Sequence, residues 1–184
     1  MDRGRLFVIS APSGAGKSTV INYLIKLRPE LILSVSATTR PPRPGEADGV
    51  SYYFVTRERF RDMIDQGEFL EYAEYIGEYY GTPIKPITEY MNAGKNVILE
   101  IEVQGAKQVM ALEPDAVSIF ITTPDMAELE RRLRARGTDS EDNLTARLER
   151  AKLEYMEKDS YMHIVVNDSV ARAAKEILSI IDYC

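Results

Sequence analysis

Leu6-Phe7-Val8-Ile9-Ser10-Ala11-Pro12-Ser13-Gly14-Ala15-Gly16-Lys17-Ser18-Thr19 is the stretch on which the fold turns. Leu6 to Ile9 are all apolar and read as a buried strand. A glycine-bearing turn follows. Beyond it Val20, Ile21, Leu24 and Leu27 recur at helical spacing on one face. Strand, loop and helix in that order are the setting a phosphate-binding P-loop requires. The loop amides and the helix N-terminus then form a positive concavity for a polyphosphate. Lys17 is placed to reach the β- and γ-phosphates, and the Ser18 hydroxyl to sit on Mg²⁺. One position departs from the G-x-x-x-x-G-K-[ST] pattern: its first glycine is Ala11. Alanine tolerates a positive φ badly, so Ala11 predicts a conventional backbone at the strand end.

At 184 residues the chain suits one well-buried domain with room for insertions. A net charge of −6 argues against the basic face of a nucleic-acid binder. No apolar run is long enough for a membrane-spanning helix, and Met1-Asp2-Arg3-Gly4-Arg5 leads into a strand rather than a signal-peptide core. Cys184 is the sole cysteine and cannot form an internal disulfide, which fits a reducing cytoplasm. His163 is the only histidine, so neither a Cys/His metal cluster nor a His-based triad can form. Its expected role is structural, ahead of Ile164-Val165-Val166. Any metal should be Mg²⁺ held by oxygen ligands and substrate phosphates.

Short apolar runs at Leu6–Ser10, Val97–Ile101, Val117–Thr122 and Ile164–Val166 predict buried strands. Helical patterns cover Lys17–Leu27, Gln104–Leu112, Pro124–Arg136, Leu144–Met156 and Val170–Ile181. The third has Thr123 as expected N-cap, Pro124 at its first position and Gly137 just past its end. Such alternation implies an α/β fold, with a parallel sheet and helices on both faces. The segment from about Ser34 to Tyr90 breaks the rhythm. It is rich in Tyr, Gly, Pro and charge, and is too aromatic for a disordered linker. Ser51–Val55 and Phe69–Tyr75 read there as small antiparallel strands, with a helix at about Arg57–Gln66 between them.

Within that segment, Thr38-Thr39-Arg40-Pro41-Pro42-Arg43-Pro44-Gly45-Glu46 sets two arginines three apart in a proline-stiffened loop. Proline lowers the entropy of the free loop, so less is lost in holding both guanidinium groups ready. Each guanidinium is a planar fork that pairs bidentately with phosphate, although the loop also reads as a solvated turn. Tyr52, Glu71, Tyr79, Tyr80, Gly81 and Thr82 follow. Tyrosine hydroxyls bond phosphate oxygens, and a carboxylate can accept two parallel N–H bonds from guanine. Read singly, those tyrosines are packing residues and Glu71 is a surface acid.

Taken together, these segments resemble guanylate kinases. That family carries a P-S-G-x-G-K-S-T loop, here Pro12 to Thr19, and S-x-S-x-T-T-R-x-P-R-x-G-E, here Ser34 to Glu46. A G-x-x-Y-x-F-V stretch runs from Gly49 to Val55, followed by Phe69-Leu70-Glu71 and Tyr79-Tyr80-Gly81. Ala135-Arg136-Gly137-Thr138 and Val166-Asn167-Asp168 match the later segments. The match is colinear from Leu6 to the final helix. It implies a P-loop NTPase core of about residues 1–33, 91–123 and 157–184. A small mixed α/β GMP-binding insertion would span about 34–90, and a helical lid about 124–156.

The implied reaction is Mg²⁺-dependent phosphorylation of GMP, and of dGMP, by ATP. Ser13, Gly14, Ala15, Gly16, Lys17, Ser18 and Thr19 would hold ATP, with Ser18 on the metal. Ser36, Glu71 and Thr82 would contact guanine, while Arg40, Arg43, Tyr52 and Tyr80 would hold the GMP phosphate. Glu100 and Glu102 stand where many members carry aspartate; Glu100 is favoured as the substrate-side carboxylate. Arg132, Arg136 and Arg147 match lid arginines that close over ATP, and Asn167 matches an adenine-contacting position. The alternative for the lid is an exposed helix whose arginines pair with Glu128 and Glu130, and Arg131 and Arg134 are expected to do only that.

Phosphoryl transfer needs positioning and charge neutralisation rather than a nucleophilic side chain or strong base. Lys17, Arg40, Arg136 and Arg147 are the expected catalytic cations. Water competes as acceptor, which is the physical reason to expect a closing lid and insertion. Two other readings compete: a non-catalytic guanylate-kinase-like interaction module, and a P-loop kinase acting on a ribose phosphate. Retention of Lys17, Ser18, Arg40, Arg43, Arg136 and Arg147 argues against the first. The base-reading set argues against the second. The expected partners are thus small molecules, ATP and GMP, with no nucleic acid and no membrane.

Overall fold

A computed structural model of the chain describes residues 3–75, 77–135 and 141–184, apart from the side chains of 141–143. The first half runs β1 (Leu6–Ser10), α1 (Lys17–Leu27), β2 (Ile32–Leu33), β3 (Ala37–Thr38), β4 (Tyr53–Phe54) and α2 (Arg57–Asp65). Next come β5 (Phe69–Tyr75), β6 (Glu78–Pro83), α3 (Ile84–Asn92), β7 (Val97–Glu100) and α4 (Val103–Leu112). The chain closes with β8 (Val117–Thr122), α5 (Met126–Ala135), α6 (Glu141–Met156), β9 (His163–Val166) and α7 (Val170–Tyr183).

Strand β1 is buried at every residue and sits at the centre of a parallel sheet of order β2-β7-β1-β8-β9. Its side chains alternate between two cores. Phe7 and Ile9 join residues of α1, α5, α6 and α7, including Leu24, Leu129, Leu148 and Ile177. Leu6 and Val8 face the other way, with Ile87 and Met91 of α3 and Val103, Ala106 and Val109 of α4. Both faces are covered, which is why these strands read as unbroken apolar runs. The expected α/β core is therefore present, and it brings the loop after β1 to the carboxyl end of the sheet, where ligands bind in such folds.

The aromatic segment forms a second sheet of order β4-β3-β6-β5, with α2 against it. Its small core holds Ala37, Phe60, Met63 and Phe69, and the Phe60 and Phe69 rings stack at 4.4 Å. The antiparallel strand expected over Phe69–Tyr75 is present as β5, and its partner is β6. The strand expected over Ser51–Val55 is shorter, and it is parallel to β3 rather than antiparallel. A parallel neighbour needs a crossover of about a dozen residues or more, which the loop 39–52 supplies. Strands β2, β3 and β6 and helix α3 carry no strong pattern and were not expected. Two of those strands are two residues long, and α3 has Pro86 in its first turn, where the missing N–H costs nothing.

Helix α5 corrects the expected start at Pro124. It begins at Met126, capped by Asp125, whose Oδ1 accepts the Glu128 N–H at 2.8 Å. Thr123 instead donates its hydroxyl to the Asp125 carbonyl at 2.7 Å. Aspartate is the stronger N-cap, and Glu128 three residues on completes the capping-box spacing. Gly137, the expected stop, lies outside the described residues.

Leu133 of α5 is 1% exposed within the core that carries the loop after β1. Leu133→Ala should destabilise the fold by about 2–5 kcal/mol, read as a lower urea midpoint. Leu153→Ala, at a side chain 68% exposed, should stay within about 0.5 kcal/mol of the parent. Equal midpoints for the two variants would show that Leu133 is not a core residue.

Candidate active site

The loop between β1 and α1 depends on two glycines in the left-handed region, Gly14 at φ 93° and Gly16 at φ 86°. Space reinforces the requirement. A Cβ on Gly14 would stand 2.8 Å from Leu133 Cγ, and one on Gly16 would stand 2.7 Å from Asn167 Nδ2. No side chain caps α1 and its first turn holds no acid, which leaves its positive N-terminal end for an anionic ligand.

Three elements brace this loop. Asn167, 3% exposed, donates Nδ2 to the Ala15 carbonyl at 2.7 Å. Arg132 donates Nη2 to the Asn167 carbonyl at 2.9 Å and Nε to Glu128 at 2.7 Å. On the other side, the Ser13 N–H donates to Glu154 Oε2 at 3.0 Å, and Arg147 Nη2 donates to Ser13 Oγ at 3.2 Å. Glu154 also accepts from Arg150, whose guanidinium lies 4.5 Å above the Tyr75 ring.

At the end of β7, Lys17 Nζ donates to the Ile101 carbonyl at 2.8 Å and to Glu102 Oε1 at 3.1 Å. The Ser18 hydroxyl donates to Glu100 Oε1. This hydroxyl–carboxylate pair is a set of hard oxygens of the kind Mg²⁺ takes. From here a cleft of about 520 Å³ runs to the second sheet.

The far end of the cleft is lined by the proline-stiffened loop and the sheet face. Arg40 is held bidentately by Glu46, with Nη1 and Nη2 donating at 3.0 and 2.9 Å, and Glu46 also accepts the Arg43 N–H at 2.7 Å. Arg40, then the Arg43 N–H, hold the Glu46 carboxyl below the usual carboxylate range. The Arg40 guanidinium lies 5.6 Å from the Tyr52 ring centre, and Tyr52 meets Tyr80 edge-on at 6.0 Å. Glu71 on β5 is 6% exposed and accepts the Thr82 hydroxyl from β6. Burial pushes the Glu71 carboxyl up, opposed by the Thr82 hydrogen bond and by the charge of Lys17.

The cleft thus brings together Ser13, Gly14, Gly16, Lys17, Ser18, Thr19 and Glu100 at one end, with Arg147 above them. Ser36, Arg40, Arg43, Tyr52, Glu71 and Tyr80 line the other. Four expected site residues stand behind this lining. Thr82 backs Glu71, Ala15 is fully buried, and Asn167 and Arg132 brace the loop from beneath. Arg136 lies outside the described residues. Arg131 and Arg134 pair with Glu128 and Glu130, as expected. Sequence reasoning missed Glu46, Arg150 and Glu154 as lining residues. A signal was present for the last two: Arg147, Arg150 and Glu154 fall at i, i+3 and i+7 of one helix, and so on one face.

A sequence model of the family described as guanylate kinase matches residues 3–183. A guanylate kinase of Rubrobacter xylanophilus is 51% identical over 180 residues, covering 98% of this chain and 94% of that protein. One from Nostoc sp. is 50% identical over 174 residues, covering 95% of this chain and 87% of the relative. The crystal structure of guanylate kinase from Anaplasma phagocytophilum superposes with a TM-score of 0.81 at 35% identity, covering 100% of this chain and 87% of that one. A shikimate kinase from Bacteroides thetaiotaomicron matches at a TM-score of 0.51 and 14% identity, over 97% of this chain and 98% of that chain, and shares the fold alone.

Glu71 also yields a stability test. Because the fold raises its pKa, the fold favours the protonated carboxyl. The associated stability is present below the ordinary carboxylate range and is lost as pH rises through the raised value. Glu71→Gln keeps an acceptor for Thr82 and removes the buried charge. It should raise Tm at pH 8 and do so less at pH 4. A variant less stable than the parent at pH 8 would mean that Thr82 and Lys17 outweigh burial.

Proposed function

The chain belongs to the guanylate kinase family and is an enzyme that phosphorylates GMP with ATP, and we propose the following division of labour among its residues. One observation carries the assignment. A single cleft is lined by a glycine-bent phosphate loop, a buried, hydroxyl-bonded carboxylate and the two arginines of the proline-stiffened loop. Residues 13–19 hold the ATP phosphates through backbone amides and Lys17, and Arg132, Arg136 and Asn167 are assigned to the same substrate. Arg40, Arg43, Tyr52 and Tyr80 hold the GMP phosphate, while Ser36 and Glu71 read guanine and Thr82 holds the Glu71 carboxylate from behind. Glu100 stands between the two halves. The core, the insertion of about 34–90 and the lid of about 124–156 are the moving parts of this scheme.

Guanine offers N1–H and N2–H₂ as adjacent donors, and an ionised Glu71 offers two acceptor oxygens. Adenine presents an acceptor at N1, so AMP would set a lone pair against the carboxylate. A site built around such donors rejects analogues lacking them far more strongly than an apolar pocket rejects a methylene. An oxygen of the GMP phosphate attacks the γ-phosphorus of ATP, a new O–P bond forms, and the bond to the β-phosphate oxygen breaks to leave ADP. That attacking oxygen is already deprotonated near neutral pH, so no base is required.

Lys17 on Glu102 and Arg40 on Glu46 are oriented before substrate arrives, and each exchanges a carboxylate oxygen for a phosphate oxygen. Arg136 and Arg147 then offset charge on the transferring group. Ser18 and Glu100 would hold Mg²⁺, which when bound neutralises charge on the β- and γ-oxygens. No helix among the described residues is long and apolar enough to cross a membrane. A cytoplasmic setting is part of the proposal, supported by a single, exposed cysteine at Cys184.

ADP release with Mg·ATP and GMP, AMP, CMP, UMP or a ribose phosphate as acceptor tests the scheme. Activity confined to guanine nucleotides is expected; equal use of AMP would sink the base-reading assignment. Lys17→Ala should lower kcat by ~100-fold or more, the scale of losing one preorganised electrostatic donor. Glu71→Ala removes charge-assisted hydrogen bonds worth roughly 1.5–3 kcal/mol each, so kcat/KM for GMP should fall at least ~10-fold with KM for ATP unchanged. Arg147→Ala should reduce kcat without a large change in Tm. Low Tm with normal turnover per folded molecule would make Arg147 structural instead.

A further inference from the structure

Glu71 sits where three elements meet: β5, which carries it, β6 with Thr82, and the first turn of α4. While Oε1 accepts the Thr82 hydroxyl, Oε2 faces Gly105, the third residue of α4. A Cβ on Gly105 would stand 2.9 Å from Glu71 Cδ and closer still to Oε2. Gly105 has no positive φ, so its backbone does not call for glycine. Glycine also disfavours a helix relative to alanine. What the position requires is space.

Strand β5 cannot retreat to make that space. Gln108, three residues on and on the same face of α4, accepts the Tyr72 N–H through Oε1 at 3.3 Å and donates Nε2 to the Tyr72 carbonyl at 3.0 Å. An added methyl at Gly105 must therefore be met by the Glu71 side chain, which can swing at little cost to the fold. The helix end that Glu71 approaches carries no side-chain cap and no acid in its first turn. Its positive end favours the ionised carboxylate, the form that only accepts hydrogen bonds.

We propose that Gly105 is a specificity-determining position, its missing side chain seating Glu71 against α4 so that the carboxylate is aimed at the purine edge. Gly105 has no side chain to offer a substrate and acts through Glu71, so it is a positioning residue. The inference rests on the assignment of Glu71 as the guanine reader.

A double-mutant cycle on the full chain tests it, with Mg·ATP saturating, GMP varied and ADP release measured. Gly105→Ala should raise KM for GMP at least ~10-fold, the loss expected for one misdirected charge-assisted hydrogen bond. It should also lower the preference for GMP over IMP, which lacks the 2-amino group, while KM for ATP stays within about twofold. On the Glu71→Ala background the same change has nothing to clash with. There it should alter KM for GMP by less than about twofold, and it should raise Tm through the better helix propensity of alanine. That background also guards against a folding failure in the single variant. Equal fold-losses in both backgrounds, or an unchanged KM for GMP in Gly105→Ala alone, would overturn the proposal. Failure of the underlying reading appears in a different arm: Glu71→Ala alone would keep wild-type use of GMP, and the proposal would fall with it.

Discussion

The left-handed backbone at Gly14 and Gly16 is the constraint on which the rest of the molecule is arranged. A loop that turns its amides toward a polyphosphate exposes polar backbone that cannot be paired within a strand or a helix. Something else must fix it. Leu133 fills the space beneath Gly14, Asn167 reaches the Ala15 carbonyl, and Glu154 takes the Ser13 N–H. Those three residues come from α5, the segment after β9, and α6, so the C-terminal third of the chain serves as the loop's bracing. The buried apolar faces of those helices supply the stability, and their polar edges supply the geometry.

A chain of net charge −6 that must bring two polyanions together resolves the conflict locally. Lys17, Arg40 and Arg150 each have a carboxylate partner in the cleft, Glu102, Glu46 and Glu154 respectively. Such pairs contribute little to folding where they are solvated. Their value is orientation, because a long cationic side chain held in one geometry loses less entropy when phosphate arrives. Exchange of one anionic oxygen for another then leaves the cation's environment nearly unchanged. Net charge describes the whole surface, whereas the site depends on which few charges face the cleft.

Much of this was legible in the sequence, and the boundary between legible and hidden is physical. The strands of the core announce themselves because both faces are buried, and Lys17 and Ser18 because their spacing to the glycines is the one a phosphate-binding loop requires. The second sheet was harder. Strands as short as Ala37–Thr38 and Tyr53–Phe54 carry no periodicity, and the parallel pairing of these two follows from loop length and register rather than from composition. The cap of α5 was misplaced because Thr123-Pro124-Asp125 offers two capping residues, and only the hydrogen bond to the Glu128 N–H decides between them. Within the cleft, the residues proposed to touch a substrate directly carry recognisable patterns. Those that hold them, such as Glu46 and Glu154, are ordinary acids until tertiary structure puts them in place.

Glu71 shows why stability and recognition pull against each other here. Most carboxylates on a strand of this kind would face water, yet this one is buried against α4 with a single hydroxyl for company. Burial strengthens every hydrogen bond the carboxylate makes, since the local dielectric is low and water does not compete. It also disfavours the charge on which those bonds depend. The surroundings offset that penalty only in part, with the Thr82 hydroxyl on one oxygen and the charge of Lys17 across the cleft. A donor pair on a purine edge would complete the set, so the guanine proposed to bind there would satisfy a group the free protein leaves half-paired. Recognition of this sort is strong because the empty site is imperfect, and the fold tolerates the imperfection because two buried cores elsewhere supply the stability.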